Sequence, residues 1–101
     1  MNTDKITVVI DEDLEDLIPG YMKNRRSDIE KITAALLTGD LETIRIIGHS
    51  MKGSGGGYGF DPVTDIGGAL EEAAKGSNTE EIKKQAEALS EYINSIEIVY
   101  E

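Results

Sequence analysis

The sequence predicts an all-α protein: an antiparallel up-down bundle of four helices with a short extra helix at its N-terminus. Apolar residues recur every three or four positions along most of the chain, which is the spacing of an amphipathic helix. Turns at Gly39 and Gly76 separate these segments, and connections this short return the chain antiparallel. With 101 residues, the chain is expected to form one domain that spans residues 1–101.

The N-terminal part of the chain is predicted to be extended before the helices begin. Residues 1–5 are expected to be frayed, and Ile6–Ile10 is β-branched and too short for a helix of its own. Asp11–Leu17 should form the short helix, because carboxylates in a first turn suit the helix dipole. Proline is tolerated at the start of a helix, so Pro19 predicts a break near Ile18.

Two of the main helices are separated from the others by clear end signals. One runs from about Pro19 to Leu37 and stops at Gly39. Its heptad-like positions are Met22, Arg25, Ile29, Ile32 and Leu36. Later in the chain, Asp61 is predicted to cap a helix that has Pro62 in its first position and that ends near Lys75.

The last helix is predicted to begin near Thr79 and to lead into a second β-branched segment. This segment, Ile96–Tyr100, alternates in the same way as Ile6–Ile10 at the other end of the chain. The two segments have the composition of a two-stranded ribbon at one end of the bundle. Because such a ribbon is weak unless something covers it, the sequence leaves their pairing open.

The remaining helix contains the only histidine of the chain and is followed by many glycines. Asp40 is its predicted N-cap. At about 100° per residue, one helix face carries Ile44, Ile47, Met51, Ser54 and Tyr58. The opposite face carries His49 together with Glu42, Arg45, Lys52, Gly53 and Gly56. His49 therefore points away from the apolar face, with one cation a turn before it and another a turn after it.

The glycines after His49 admit two interpretations. If the helix continues to Tyr58, each glycine lowers its stability by roughly 1 kcal/mol, so the glycines must serve another purpose. On the histidine face they would leave room for another molecule to approach the imidazole, and Gly55 would let a neighbouring helix come close. We predict this continuous helix. The alternative is a helix that ends near Ser54, followed by a glycine loop.

The composition excludes several classes of function. There is no cysteine and only one histidine, so disulfides and thiolate or multi-histidine metal sites are excluded. A net charge of −10 with no basic patch argues against nucleic-acid binding. No apolar run is long enough to span a membrane, and no signal peptide is present. Paired carboxylates such as Glu71-Glu72 and Glu80-Glu81 are interpreted as solvated helix faces.

Two phosphate-binding motifs are also excluded. Gly48 and Gly53 have the spacing of a P-loop, but the lysine precedes the second glycine and Ser54 follows it. The glycine-rich run follows no strand and lacks the dinucleotide-binding pattern. The glycines therefore do not indicate a nucleotide site.

The segment around His49 resembles the phosphoacceptor signature of histidine-containing phosphotransfer (HPt) domains. The signature positions are His49, Lys52, Gly53, Ser54 and Gly59, and the segment ends in Gly-Phe. Upstream Leu41 and Ile44 also fit, as do downstream Leu70, Glu71, Ala73 and Ala74. The resemblance covers the chain from about Asp11 to Ser95. One departure is the run Gly55–Gly57, where such domains more often carry alanine or another small residue.

The resemblance implies a four-helix phosphocarrier, and the residues around His49 suit that chemistry. An exposed imidazole would capture a phosphoryl group through Nε2, while the other ring nitrogen holds a proton or a hydrogen bond. Lys52 and Arg45 would supply positive charge, and Gly53 and Gly56 would leave space for the donor. Ile46, about 60° from His49 around the helix, would belong to a small apolar docking patch.

The predicted function is therefore that of a carrier and not of an autonomous enzyme. It would receive a phosphoryl group from a sensor or hybrid histidine kinase, or from a receiver aspartate, and pass it to a response-regulator receiver domain. We expect no cofactor, metal, nucleic acid or membrane as a partner, and a free-standing, cytoplasmic monomer. The alternative is a helical interaction module whose histidine is never phosphorylated. The sequence does not identify the cognate kinase, the receivers or the direction of transfer.

Overall fold

The part of the chain that the structure describes is mostly helical, as predicted, and contains four α-helices. The computed structural model describes residues 5–101, so the predicted fraying of residues 1–5 lies, apart from Lys5, outside the described residues. The elements in order are β1 (Ile6–Ile10), a 3₁₀-helix (Glu12–Leu17), α1 (Ile18–Thr38), α2 (Leu41–Ser54), a second 3₁₀-helix (Gly56–Tyr58), α3 (Asp61–Lys75), α4 (Thr79–Ser95) and β2 (Ile96–Tyr100). A short helix therefore precedes α1, but it is a 3₁₀-helix.

The turn between α1 and α2 forms where the sequence predicts it. Gly39 has a left-handed backbone with φ of 72° and donates its N–H to the carbonyls of Ala35 and Leu36. Asp40 then caps α2, because its carboxylate accepts the Thr43 N–H at 3.1 Å and the Thr43 hydroxyl at 2.6 Å. Both end signals are thus confirmed, and each satisfies backbone groups that a helix end leaves unpaired.

The cap predicted for α3 is wrong by one residue. Asp61 is already the first residue of the helix, and the capping position is held by Phe60, whose side chain makes no capping hydrogen bond. Pro62 follows in the first turn. Phe60 is fully buried, so the chain enters α3 through an apolar anchor instead of a polar cap.

The prediction that α2 continues through the glycines to Tyr58 is wrong, and the alternative is correct: α2 ends at Ser54. The Gly55 carbonyl accepts the N–H groups of Tyr58 and Phe60, and the Gly56 N–H donates to Thr64 Oγ1 at 2.8 Å. A side chain at Gly55 would lie 2.5 Å from the backbone nitrogen of Thr64. The predicted close approach at Gly55 is therefore present, and the neighbouring helix is α3. The chain packs against α3 at this point and does not continue α2 by another turn.

Helices α2 and α3 are in backbone contact, because glycines face each other between them. A Cβ atom on Gly48 would lie 2.7 Å from the Gly67 carbonyl, and one on Gly67 would lie 2.5 Å from the Lys52 backbone nitrogen. This is closer than helices with larger side chains approach. As a result, α3 residues one turn after Gly67 lie beside the part of α2 that holds His49.

One apolar core joins all four helices. Its largest fully buried side chains are Phe60, Ile10, Ile18, Ile32, Ile44, Met51, Leu70, Ile82, Leu89 and Val63. Arg25, the polar member of the α1 pattern, is also buried. Its guanidinium pairs with Asp28 at 2.8 Å and lies 4.4 Å from the centre of the Tyr21 ring. These contacts compensate the charge of the buried arginine.

The two terminal segments do pair, and they pair in parallel. Ile6 lies opposite Ile96, and the register continues to Ile10 opposite Tyr100. Ile10 is buried in the core, which fixes this end of the ribbon to the bundle. Within residues 5–101, none of the helices combines the length and apolarity that crossing a bilayer requires.

Candidate functional site

His49 lies on the exposed face of α2, in the second half of the helix. Its side chain is 72% exposed, and its Nδ1 atom lies 3.0 Å from Oε2 of Glu71 on α3. The face that sequence spacing assigned to His49 is therefore the one that solvent reaches. The exposed ring is nevertheless held in one orientation, because its Nδ1 atom is hydrogen-bonded to Glu71 on the neighbouring helix.

Glu71 is the centre of the polar cluster around this histidine. Its side chain is only 7% exposed, and two lysines approach it as well as His49. The Lys52 Nζ atom lies 3.5 Å from Oε1, and the Lys75 Nζ atom lies 4.0 Å from Oε2. One buried carboxylate thus faces an imidazole and two ammonium groups, all of them on its solvent side.

The interpretation of Glu71 as a solvated residue is wrong, although it holds for its exposed neighbour Glu72. The sequence does contain a signal for the burial of Glu71. On α3, Gly67, Leu70, Glu71 and Ala74 have the spacing of one helix face, and the other three are buried. A carboxylate inside an apolar face needs a partner, and the only histidine of the chain was the obvious candidate.

Two opposing effects act on the pKa of Glu71. Burial raises this pKa, but the hydrogen bond with His49 and the charges of Lys52 and Lys75 lower it further, so the net pKa lies below its usual value. The carboxylate is therefore ionised at neutral pH and can only accept hydrogen bonds. It follows that Nδ1 of His49 carries a proton.

The hydrogen bond to Glu71 therefore selects the tautomer of the neutral imidazole. With the proton on Nδ1, the lone pair lies on Nε2. Among the described residues, no group forms a hydrogen bond with Nε2. The neutral form of the ring thus presents an unprotonated nitrogen on an exposed helix face, with Lys52 and Lys75 bound to the same carboxylate. This arrangement is suited to nucleophilic attack on an electrophile that another molecule brings.

The structure brings Lys52 into this cluster, but it places Arg45 in a separate ion pair. The Arg45 guanidinium donates to both oxygens of Glu42 at 2.8 and 2.7 Å. This hydrogen bonding raises the pKa of Arg45 and lowers that of Glu42. Arg45 lies one turn before His49, as the sequence predicts, and contributes charge to the face, but its side-chain hydrogen bonds go to Glu42 and not to the ring.

The two glycines that were predicted to leave space differ in their surroundings. A Cβ atom at Gly53 would meet nothing within 4 Å, so the volume beside it is open. Gly56 lies beyond the end of α2 at Ser54. The prediction that it shares a helix face with His49 assumed a continuous helix and therefore does not hold. A Cβ atom there would lie 3.5 Å from Asp61 Oδ1 and 3.7 Å from Thr64 Oγ1. Gly56 therefore belongs to the packing of the 3₁₀-helix against α3.

Ile46 is 54% exposed and supplies apolar surface on the same side of α2 as His49. Two surface grooves lie elsewhere: one is lined by α1 and α4, and the other by α1 and the start of α2. Within residues 5–101, no group of three or more potential metal-ligating side chains occurs. His49 thus lies outside both grooves, on an exposed face of α2.

Comparison with known families gives one match. A family model described as Hpt domain matches residues 12–98, a range that contains both 3₁₀-helices, all four α-helices and every residue of the site. Comparisons with curated proteins and with solved structures gave no match.

Proposed function

Because the chain belongs to the Hpt domain family, whose members transfer phosphoryl groups through a histidine, we propose that His49 is the phosphoacceptor of a phosphorelay. The observation that carries this assignment is the hydrogen bond between Glu71 and Nδ1 of the exposed His49 ring. It leaves Nε2 free as the nucleophile. The resemblance in sequence suggested the residue, and this contact supplies a physical reason for its reactivity.

The transfer step follows from the protonation state of the ring. The Nε2 lone pair attacks the phosphorus of an aspartyl phosphate on a receiver, the new N–P bond forms, and the P–O bond to the aspartate breaks. The imidazole becomes positively charged because it keeps its Nδ1 proton. Glu71, ionised and 3.0 Å from Nδ1, stabilises that charge. The reverse step passes the phosphoryl group to a receiver aspartate.

The lysines of the cluster supply the positive charge that the phosphoryl oxygens need. Lys52 is bound loosely, at 3.5 Å from Glu71, and its side chain is 55% exposed. It can therefore turn toward a phosphoryl group on Nε2, while Lys75 continues to neutralise Glu71. Arg45 acts at longer range, because Glu42 holds its guanidinium. The magnesium ion that such transfers use belongs to the receiver, as the family resemblance implies.

The partner surface in this proposal combines open space with a small apolar contact. Gly53 leaves the volume next to the ring free for the active-site loops of a receiver, and Ile46 packs against them. Gly56 supports this surface from behind by fixing the 3₁₀-helix to Thr64. The partners are receiver domains and a sensor or hybrid histidine kinase, and we place the exchange in the cytoplasm.

We also propose that the helices run up and down in antiparallel order within a single domain. Support comes from the short connections, since only Gly39 and Asp40 separate α1 from α2, and only residues 76–78 separate α3 from α4. The protein would act as a carrier and not as an autonomous enzyme, because its side chains hold the phosphoryl group but do not generate it.

The test is transfer from receivers phosphorylated with ³²P-labelled acetyl phosphate to this chain. We expect an acid-labile label on the wild-type chain and none on His49→Gln, whose circular dichroism should be unchanged because the side chain is exposed. Labelling of His49→Gln would refute the acceptor assignment. Receivers that bind the chain but never label it would favour an interaction module instead.

A further inference from the structure

The β1–β2 ribbon has an open edge with unusual properties. Each strand has one partner strand among the described residues, so no strand pairs with the outer edge of β1, and the nearest backbone approach recorded there is that of Gly59, whose Cβ position lies 4.0 Å from the Val9 carbonyl. An exposed strand edge is a template for another strand, and proteins usually protect it with charges, proline or a covering segment. The residues of β1, Ile-Thr-Val-Val-Ile, include no charge and no proline.

The backbone hydrogen bonds show which residues face this open edge. The Ile10 carbonyl accepts the Glu101 N–H at 3.0 Å, and the Glu12 N–H donates to the Glu101 carbonyl at 2.9 Å. Residues 10 and 12 therefore turn their backbone groups toward β2. Since the direction alternates along a strand, the N–H and C=O groups of Thr7 and Val9 point to the free edge.

The side chains at this edge are self-complementary. When a strand pairs antiparallel with a copy of itself about Val8, Thr7 lies opposite Val9 of the copy, and Lys5 lies opposite Asp11. These are the residues whose backbone groups point outward, so Thr7 and Val9 would exchange both hydrogen bonds. Their side chains, like those of Lys5 and Asp11, are exposed. Each end of the pair thus brings opposite charges together on the same face.

We propose that this chain forms a two-fold symmetric dimer in which β1 pairs antiparallel with β1 of a second copy. The result is a continuous four-stranded sheet, ordered β2–β1–β1–β2. Pairing would satisfy the free backbone groups of Thr7 and Val9 and would cover the edge of Ile6, which is 49% exposed. It would also convert a marginal two-stranded ribbon into a sheet of stable size.

The proposal differs from the monomer expected from the sequence, and it is independent of phosphotransfer. The net charge of −10 per chain opposes association at long range. The edge itself is neutral, however, and its flanking charges attract across the two-fold axis. A second copy therefore fits this edge better than a strand that carries acidic residues, such as β2 with its Glu97.

The experiment measures the oligomeric state of the full chain by sedimentation equilibrium up to millimolar concentration, at physiological salt. Amide hydrogen exchange is recorded at both ends of this range. We expect a dimer whose formation protects the amides of Thr7 and Val9, while the Val8 amide is protected at every concentration. A monomer throughout, or a dimer without added protection at these two amides, overturns the proposal.

Thr7→Pro tests the interface directly, because it removes an N–H that points to the open edge and that β2 does not use. It should weaken the dimer by about tenfold or more without lowering the melting temperature of the monomer. Lys5→Glu places a negative charge opposite Asp11 of the other copy and should weaken the dimer. The control is Lys23→Glu, the same charge change on an exposed part of α1. Lys5→Glu should weaken the dimer severalfold more than this control. Equal effects of the two charge variants would contradict the pairing, even if Thr7→Pro were unfolded. His49→Gln should dimerise like the wild type.

Discussion

Replacing Glu71 with alanine should slow phosphoryl capture by His49 and should change the stability of the fold only weakly. The variant loses the acceptor that lies 3.0 Å from Nδ1, so the ring can turn and its proton can move to Nε2. A hydrogen bond with one charged partner at this distance corresponds to a rate change of tenfold or more. Because the imidazole is 72% exposed, we expect the lower limit, a rate reduced about tenfold.

Stability should respond weakly to the same change. Removing the carboxylate leaves no buried charge without a partner, because Lys52 and Lys75 are both more than half exposed. It also removes the cost of burying an ion. We therefore expect the melting temperature of Glu71→Ala to lie within about 5 °C of the wild type. Glu71→Gln keeps an acceptor oxygen and should transfer at an intermediate rate.

The assay combines transfer rates with ¹⁵N chemical shifts of the His49 ring, which report the tautomer. Glu72→Ala is the matched control, because it removes a neighbouring carboxylate that contacts Lys75 at 3.5 Å but not the ring. Wild type and Glu72→Ala should show protonated Nδ1, and Glu71→Ala a mixture. Equal rates and equal ring shifts for the two alanine variants would refute the role assigned to Glu71.

Three further outcomes are expected. Lys52→Ala should slow transfer. The difference in transfer rate between this variant and the wild type should shrink at high salt, because salt screens the attraction that the lysine charge provides in the wild type. A rate difference that does not depend on salt would point to a steric role. Ile46→Glu should weaken receiver binding about fivefold or more in titration calorimetry with an unchanged melting temperature, and unchanged binding would exclude Ile46 from the interface. Because the folded pKa of Glu71 lies below its usual 4.5, its stabilising contacts are complete above pH 4.5 and are lost as the pH falls through the folded pKa. The stability difference between wild type and Glu71→Gln, measured by urea denaturation, should thus shrink as the pH falls through the folded pKa of Glu71.

The helices could be predicted because each carries its own local signals. The stop at Gly39 and the cap at Asp40 depend on backbone geometry within a few residues, and both formed as expected. The exposed position of His49 followed from helical rotation alone. The family resemblance, now supported by the match over residues 12–98, also rested on local spacing.

What could not be predicted depends on contacts between distant segments. The burial of Glu71 requires that α3 approach α2 at Gly48 and Gly67, and a pattern within α3 does not specify its neighbour. The end of α2 at Ser54 depends on Thr64, which binds the backbone of the glycine run. The parallel pairing of β1 with β2 depends on where the helices bring the two ends of the chain.

The glycines around His49 fall into two groups, and this division gives the last prediction. Gly53 is open, since a Cβ atom there meets nothing within 4 Å, whereas a Cβ atom at Gly67 would lie 2.5 Å from the Lys52 backbone nitrogen. Gly53→Ala should therefore gain up to about 1 kcal/mol of helix propensity. Gly67→Ala should force α2 and α3 apart and lower the melting temperature.

Phosphotransfer should separate these variants in a different way. A side chain at position 53 would stand in the volume beside the imidazole, so Gly53→Ala should slow transfer and Gly53→Leu should slow it more, although both remain folded. Gly67→Ala should slow transfer as well, because moving α3 withdraws Glu71 from Nδ1. Its His49 ring shifts should then resemble those of Glu71→Ala, while the Gly53 variants keep the wild-type shifts.

The combination of stability, ring shifts and rate thus distinguishes access from positioning. Slow transfer with a stable fold and an unaltered ring means that the receiver needs the space at Gly53. Slow transfer with a weakened fold and an altered ring means that the spacing of α2 and α3 sets the tautomer. A folded Gly53→Leu chain that transfers at the wild-type rate would show that the open volume beside His49 is not used, and the glycine would then need another explanation.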